Sequence, residues 1–269
     1  MARPVTFLSD YGTADEFVGV VHAVIARIAP DARVIDIAHG IPRHAVLQGA
    51  LALARTLPFA PAGVHLAVVD PGVGGERRAV AVRVADEERL LVGPDNGLLH
   101  PAAERFGGVV EAVDISSSPW RLEPVSATFH GRDVFAPVAA RLAAGAPLWE
   151  AGTPLDTDAL VGLELPRPRV TERRLVAVVV GVDGFGNVQL LAERADLDAV
   201  AAPGASVTVS AGGRALEATV VRTFVDVPAG AALVHVDSAG AVAVAVNEGS
   251  AATALAVRAG DEVRVEAAP

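Results

Sequence analysis

Apolar runs and amphipathic stretches alternate through the first half of the chain. Val5-Thr6-Phe7-Leu8 and Arg33-Val34-Ile35-Asp36-Ile37 predict short strands. Between them Phe17, Val20, Val21, Val24, Ile25 and Ile28 recur at helical spacing. An Ala/Leu-rich stretch, residues 46–57, predicts a helix that stops before Pro58, and the run Val64-His65-Leu66-Ala67-Val68-Val69 reads as a buried strand. Residues 79–84 and 90–92 predict two more strands, and residues 134–143 a helix ending near Gly145. Alternation of this kind predicts an α/β sheet. After about Glu164 the pattern changes. Leu165-Pro166-Arg167-Pro168-Arg169 reads as a stiff, polar linker. Beyond it short apolar runs lie between turn residues, at 175–180, 206–209, 218–221, 232–236, 242–246 and 263–265. Their spacing predicts a small antiparallel barrel or sandwich. The expected division is an α/β domain over residues 1–164 and a β domain over residues 170–269.

Composition fits two domains, since 269 residues stand at the upper edge of what one core serves. With 52% hydrophobic residues and 4% aromatic ones, the cores are built from Ala, Val and Leu. No apolar run has bilayer length. Met1-Ala2-Arg3-Pro4 leads into a strand without the layout of a signal peptide, so a cytoplasmic location is expected. The chain has no cysteine, which excludes disulfides, thiol nucleophiles and cysteine metal sites. It also has no lysine, which excludes Schiff-base chemistry and a Walker-type phosphate site. A net charge of −10 argues against nucleic acid and anionic membranes as partners.

Within this frame, Val69-Asp70-Pro71-Gly72-Val73-Gly74-Gly75-Glu76-Arg77 stands out. An acid at the end of a buried strand, with a guanidinium on the same glycine-rich loop, is a candidate reaction centre, because ligands of open α/β sheets sit at strand carboxyl ends. The alternative is a turn-forming Asp before Pro71. Phe129-His130-Gly131-Arg132-Asp133 offers an imidazole beside a glycine that would let a ligand approach. Asp10, in Ser9-Asp10-Tyr11-Gly12, suits a vicinal diol such as a ribose, or caps the following helix. Asp183-Gly184-Phe185-Gly186-Asn187 is a hairpin turn whose Phe and Asn could also meet an adenine, and Asn247-Glu248-Gly249-Ser250 is a second such turn. Short-spaced histidine ligands such as His-x-x-x-His are absent, and no metal is expected.

Taken in order, Ser9-Asp10-Tyr11-Gly12, Asp70-Pro71-Gly72-Val73-Gly74, Pro94-Asp95-Asn96-Gly97, Phe129-His130-Gly131-Arg132-Asp133, Phe185-Gly186-Asn187 and Ala245-Val246-Asn247 resemble the S-adenosyl-L-methionine hydroxide adenosyltransferases. These are S-adenosylmethionine (SAM) hydrolases that form adenosine, relatives of the fluorinases and chlorinases. The resemblance implies an N-terminal α/β domain, a C-terminal β-barrel and a homotrimer with substrate held between neighbouring subunits. It implies SAM as substrate, with no cofactor. Asp70, Arg77 and His130 would be the catalytic trio around a water. Asp10 would hold the ribose hydroxyls, and Tyr11 and Gly131 would also bind the substrate. Phe185, Asn187, Asn247 and Glu248 would meet the adenine, and Asp183 and Ser238 would face the methionine end. The halogenases carry a tyrosine-led loop in place of Asp70 and another residue in place of His130, so this chain is expected to favour water over halide. Gln189-Leu190 stand where hydrolase relatives often carry Thr-Asn. The alternatives are a SAM-dependent halogenase and a non-catalytic adenosine or SAM binder.

Overall fold

The computed structural model describes residues 2–268; Met1 and Pro269, the outer limits of the two expected domains, lie outside the described residues. The chain divides into two compact units, residues 1–163 and 164–269. The first contains β1 (Val5–Ser9), α1 (Phe17–Ile28), β2 (Val34–Ala38), α2 (Val46–Thr56), β3 (Val64–Val68), β4 (Ala79–Val84), β5 (Leu90–Pro94), α3 (His100–Arg105), β6 (Val109–Asp114), α4 (Ala136–Ala143) and β7 (Thr153–Leu155). Its sheet runs β2-β1-β3-β5-β4-β6-β7. The first four strands are parallel, and β4, β6 and β7 add antiparallel pairings.

Both faces of this sheet are covered, which is why its strands read as apolar runs. Val5, Phe7, Val64, Leu66 and Val68 pack with Val21, Ile25, Val138 and Leu142 of α1 and α4. On the other face Leu8, Ala67 and Val69 pack with Leu53 of α2 and Ala102 of α3. The period-2 alternation of side chains thus divides each strand between two helical layers.

The second unit contains β8 (Arg169–Thr171), β9 (Arg174–Val182), β10 (Val188–Glu193), α5 (Arg194–Asp198), β11 (Ser206–Ala211), β12 (Arg214–Val220), β13 (Ala232–Val236), β14 (Ala241–Val246), α6 (Ala251–Leu255) and β15 (Glu262–Ala267). Strands β10-β14-β13-β12-β11-β15-β9 close into a barrel through the β9–β10 pairing, and β8 extends one edge. Alternate residues such as Val179, Val188, Leu190, Val207, Val234, Val244 and Val263 fill the interior. The barrel is antiparallel except at β12–β13, which pair in parallel. The long connection over residues 221–231 permits this, because parallel neighbours need a crossover rather than a tight hairpin. The Pro-rich stretch over 165–168 carries no regular structure, and Arg169 already begins β8. Among the described residues no helix is long and apolar enough to cross a membrane.

Candidate active site

The chain visits β1, steps out to β2, then returns past β1 to β3. The carboxyl ends of β1 and β3 therefore flank a topological switch point, where a parallel sheet opens a crevice for ligands. Asp10 directly follows β1 and Asp70 lies just past β3. The register Ser9 opposite Val68 sets the two acids at the same level, and the Asp10 backbone N–H donates to the Val68 carbonyl at 3.3 Å. Asn96, just beyond β5, steadies this edge by donating from Nδ2 to the Val69 carbonyl at 2.9 Å.

Asp70 and Arg77 form a nearly buried ion pair, their side chains 5% and 11% exposed. Arg77 Nε donates to Oδ1 at 2.8 Å and to Oδ2 at 3.0 Å, and its Nη2 also donates to Oδ2. Nη2 further contacts His130 Nδ1 at 2.9 Å. A guanidinium has no acceptor, so Nδ1 must accept and the neutral ring carries its proton on Nε2. Burial, helped by the Arg77 charge, pushes the His130 pKa below its ordinary value. The three side chains thus form one chain of contacts in which Arg77 is the hub, and Arg77 stacks 5.4 Å from the Phe135 ring.

Glycines allow this close approach. Gly74 has φ +74°, and a Cβ there would overlap the Ala127 carbonyl, so the loop carrying Arg77 lies directly against the segment leading to His130. Behind His130, one turn of π-helix over Gly131–Phe135 opens into α4. Asp133, in that turn and 2% exposed, accepts the Ser126 N–H at 2.8 Å and takes Arg132 at 2.7 Å. It pins the loop in front of His130. Sequence reading gave Asp133 no role, although it stands in the motif.

Tyr11 packs edge-on against Phe129, centroids 5.8 Å apart. Burial, together with the charges of Asp10 and Asp70, raises its pKa, so its hydroxyl is held as a neutral donor near the acids. A Cβ on Gly131 would overlap Tyr11 Oη and lie 3.0 Å from Cζ. Gly131→Ala is expected to cost about 1–3 kcal/mol of stability through overpacking. Tyr11→Phe in that background should recover part of the loss, which chemical denaturation of the single and double variants would measure. Asp10 does not cap α1; its Oδ2 accepts the His44 backbone N–H at 3.0 Å, and α1 begins only at Phe17.

In the second unit Asp183 builds the β9–β10 turn. Its Oδ1 accepts the N–H groups of Phe185 and Asn187, each at 2.9 Å, and its Oδ2 accepts Asn187 Nδ2 at 2.8 Å. Gly186 completes the turn at φ +83°. Phe185 is left 83% exposed. Asp183, Phe185, Asn187, Ser238 and Glu248 line a cavity of about 990 Å³. Asn247 is not part of that lining; its Nδ2 donates to the Val227 carbonyl at 2.9 Å and ties its turn to the connection between β12 and β13. His235 also lines the cavity, with a buried Nε2 lacking a partner. Burial lowers its pKa, so the ring is kept neutral. Gln189 lines the cavity too and reaches Asp237 Oδ2 at 3.5 Å.

The sequence has no His-x-x-x-His pair, yet among the described residues folding brings one metal-compatible group together: His22, Asp36 and His39, with ligand atoms within 4.8 Å of one another.

An α/β sheet with an acid–guanidinium–imidazole set at its switch point, joined in sequence to a closed barrel bearing an aromatic-edged cavity, defines a two-domain, small-molecule-binding architecture. The chain belongs to the SAM hydroxide adenosyltransferase family, matching its N-terminal domain over residues 5–152 and its C-terminal domain over residues 177–264. It is 52% identical over 263 residues to the (R)-S-adenosyl-L-methionine hydrolase of Salinispora arenicola, covering 98% of this chain and 97% of that protein. The fluorinase of Nocardia brasiliensis is more distant, 30% identical over 98% of this chain and 97% of its own. A crystal structure of an uncharacterized conserved protein from Thermotoga maritima superposes with TM-score 0.89 at 39% identity, covering 97% of this chain and 99% of that one.

Proposed function

We propose that this protein hydrolyses (R)-S-adenosyl-L-methionine to adenosine and L-methionine by in-line attack of water or hydroxide on the ribose C5′. The observation that carries this reading is the Asp70–Arg77–His130 contact chain at the sheet's switch point, in a chain 52% identical to a SAM hydrolase.

In this reaction a new O–C5′ bond forms as the C5′–S⁺ bond breaks. The sulfonium's positive charge is lost and methionine leaves neutral. With hydroxide as nucleophile, opposite charges cancel along the path, so a site poor in bulk water favours the step. Alignment of oxygen, carbon and sulfur contributes further, as in any reaction between held partners. Arg77 donates twice to Oδ2 and once to Oδ1, so Oδ1 of Asp70 keeps the spare lone pair that accepts a hydrogen bond from the water and takes its proton. Arg77 fixes the carboxylate's direction through its planar fork. His130 has Nδ1 committed to Arg77, so Nε2–H is the group it offers to the nucleophile or substrate. Asp10 binds the ribose hydroxyls, with Tyr11 and Gly131 shaping the wall beside them. Phe185 stacks on the adenine while Asn187, whose Nδ2 is held by Asp183, presents its Oδ1 to the exocyclic amine. Ser238 and Glu248 complete the substrate's surroundings. The anionic Asp70 repels a halide, which favours hydrolysis over halogenation.

We further propose that the chain works in the cytoplasm as a homotrimer whose active sites are completed by neighbouring subunits, with no cofactor in the chemistry. Mass measurement in solution tests the trimer. Purified protein given SAM in ¹⁸O-water is expected to release methionine and adenosine with label in the 5′-hydroxyl. 5′-Haloadenosine formed in chloride or fluoride would overturn the reading in favour of a halogenase. Binding without product would favour a sensor. Phe185→Ala is expected to raise KM for SAM about tenfold or more at unchanged melting temperature, the scale of about 1–3 kcal/mol for base–aromatic stacking.

A further inference from the structure

A cluster outside the Asp70 centre has the makings of a metal site. His22 comes from α1, Asp36 from β2 and His39 from the turn after β2. Asp36 Oδ1 lies 2.8 Å from His22 Nε2 and 3.0 Å from His39 Nε2, so both imidazoles converge on one carboxylate oxygen. His39 is the telling member. Its side chain is only 6% exposed, and its buried Nε2 is left without a hydrogen bond although Asp36 Oδ1 lies 3.0 Å away. That oxygen is hydrogen-bonded to His22 Nε2, which leaves the buried His39 nitrogen unmatched at the point where the three ligand atoms converge, as a ligand awaiting a cation would be. The other nitrogen of His39 is already fixed: Nδ1 meets Ser9 Oγ at 2.8 Å. With Nε2 as a ligand, Nδ1 carries the proton and donates to that hydroxyl, the outer-shell bond that orients metal-binding imidazoles. Phe7 packs 4.7 Å from the His39 ring and 6.2 Å from the His22 ring, giving the pair an apolar floor.

We propose that His22 Nε2, Asp36 and His39 Nε2 bind one divalent first-row transition cation of the zinc type. Two imidazoles and a carboxylate suit zinc in preference to magnesium or calcium. With metal–ligand bonds of about 2.0–2.2 Å, tetrahedral donors stand about 3.3 Å apart. The two N···O separations need to open by only a few tenths of an ångström, and the two imidazole nitrogens already lie within 4.8 Å of each other. His22 and Asp36, with side chains 35% and 43% exposed, have the freedom to do so and leave the outer coordination to water. The cation would staple α1, β2 and the loop whose His39 carbonyl accepts the Gly12 N–H and whose His44 N–H holds Asp10. Its place is structural, on the frame of the Asp10 loop, and not in the displacement at carbon.

The test is calorimetric titration of chelator-treated full-length protein with ZnCl₂. One equivalent per chain is expected, with micromolar or tighter affinity. His22→Gln and Asp36→Asn should each weaken it at least tenfold, and zinc should raise the melting temperature of the wild type but not of either variant. Because a variant can lose its fold, Co²⁺ is titrated into the wild type as well. Strong visible ligand-field bands at one equivalent, displaced by Zn²⁺, support the site. No saturable binding, or binding unchanged by both substitutions, overturns it and leaves a His22–Asp36 hydrogen bond beside a buried His39.

Discussion

Asp70→Asn is expected to lower kcat about 10²–10⁴-fold, the range that a positioned general base contributes. The substitution keeps the side chain's shape and one acceptor for Arg77, but it removes the group that takes the proton. Three features set the size of the effect. Among the described residues Asp70 is the one carboxylate bound to Arg77, and its burial leaves little solvent to substitute for it. His130 is no ready replacement, because its Nδ1 already accepts from Arg77 and its pKa is held down. Asp10 is engaged by the His44 backbone N–H. Arg77 loses its anion in this variant, so stability falls as well, since a nearly buried cation is left unpaired. Steady-state kinetics beside calorimetric binding of SAM separates the two consequences. Binding within a fewfold of wild type with kcat reduced a hundredfold or more is the expected result. Wild-type kcat in Asp70→Asn would remove Asp70 from the chemistry. His130→Ala should act more mildly on kcat than Asp70→Asn if its part is to offer Nε2–H.

Much of the scaffold is legible because its strands are β-branched runs bounded by turn residues. Residues 64–69 and 232–236 pick out β3 and β13 nearly to their ends. The Phe17–Ile28 helix is legible from its spacing, with Val21 and Ile25 fully buried. What escapes the pattern is short or decided by distant partners. α5 and α6 are too brief to show a period, and they are set by the Glu193–Asp196 capping box and by the Ser250 cap. β6 follows two glycines, and its pairing with β4 defines it. The parallel β12–β13 contact depends on where a long connection goes, which local residues do not encode. Asp70, Arg77 and His130 could be picked out by type and motif, but their hub-and-spoke arrangement depends on Gly74 lying against Ala127. The His22–Asp36–His39 group is illegible for a simpler reason. Its members sit on a helix, a strand and a turn, and no spacing rule joins them.

The protein should also lose stability steeply in mild acid through His65, far from any reacting group. His65 is fully buried in β3. Its Nε2 faces Arg89 Nη1 at 3.1 Å and its Nδ1 meets Thr6 Oγ1 at 2.9 Å. The guanidinium can only donate, so Nε2 accepts and the proton sits on Nδ1, donated to the threonine. A second proton would have to be placed on Nε2 against the Arg89 charge, in a fully buried site. Burial first, and Arg89 second, push the pKa down from 6.5 to about 3. The unfolded chain takes up this proton as pH falls through about 6.5, while the fold refuses it until about pH 3. His65 therefore costs nothing above neutrality. As pH drops, it costs on the order of 2 kcal/mol by about pH 5 and on the order of 5 kcal/mol near pH 3, where the loss levels off. Carboxylates titrate over the lower part of the same window, so the slope is compared rather than the level. Urea unfolding of wild type and His65→Gln at pH 7, 6 and 5 should show the wild type losing about 2 kcal/mol more than the variant over that interval, whatever their difference at pH 7. Equal slopes, or an imidazole in the folded protein that titrates near pH 6.5 at this position by NMR, would show that the fold accepts the proton.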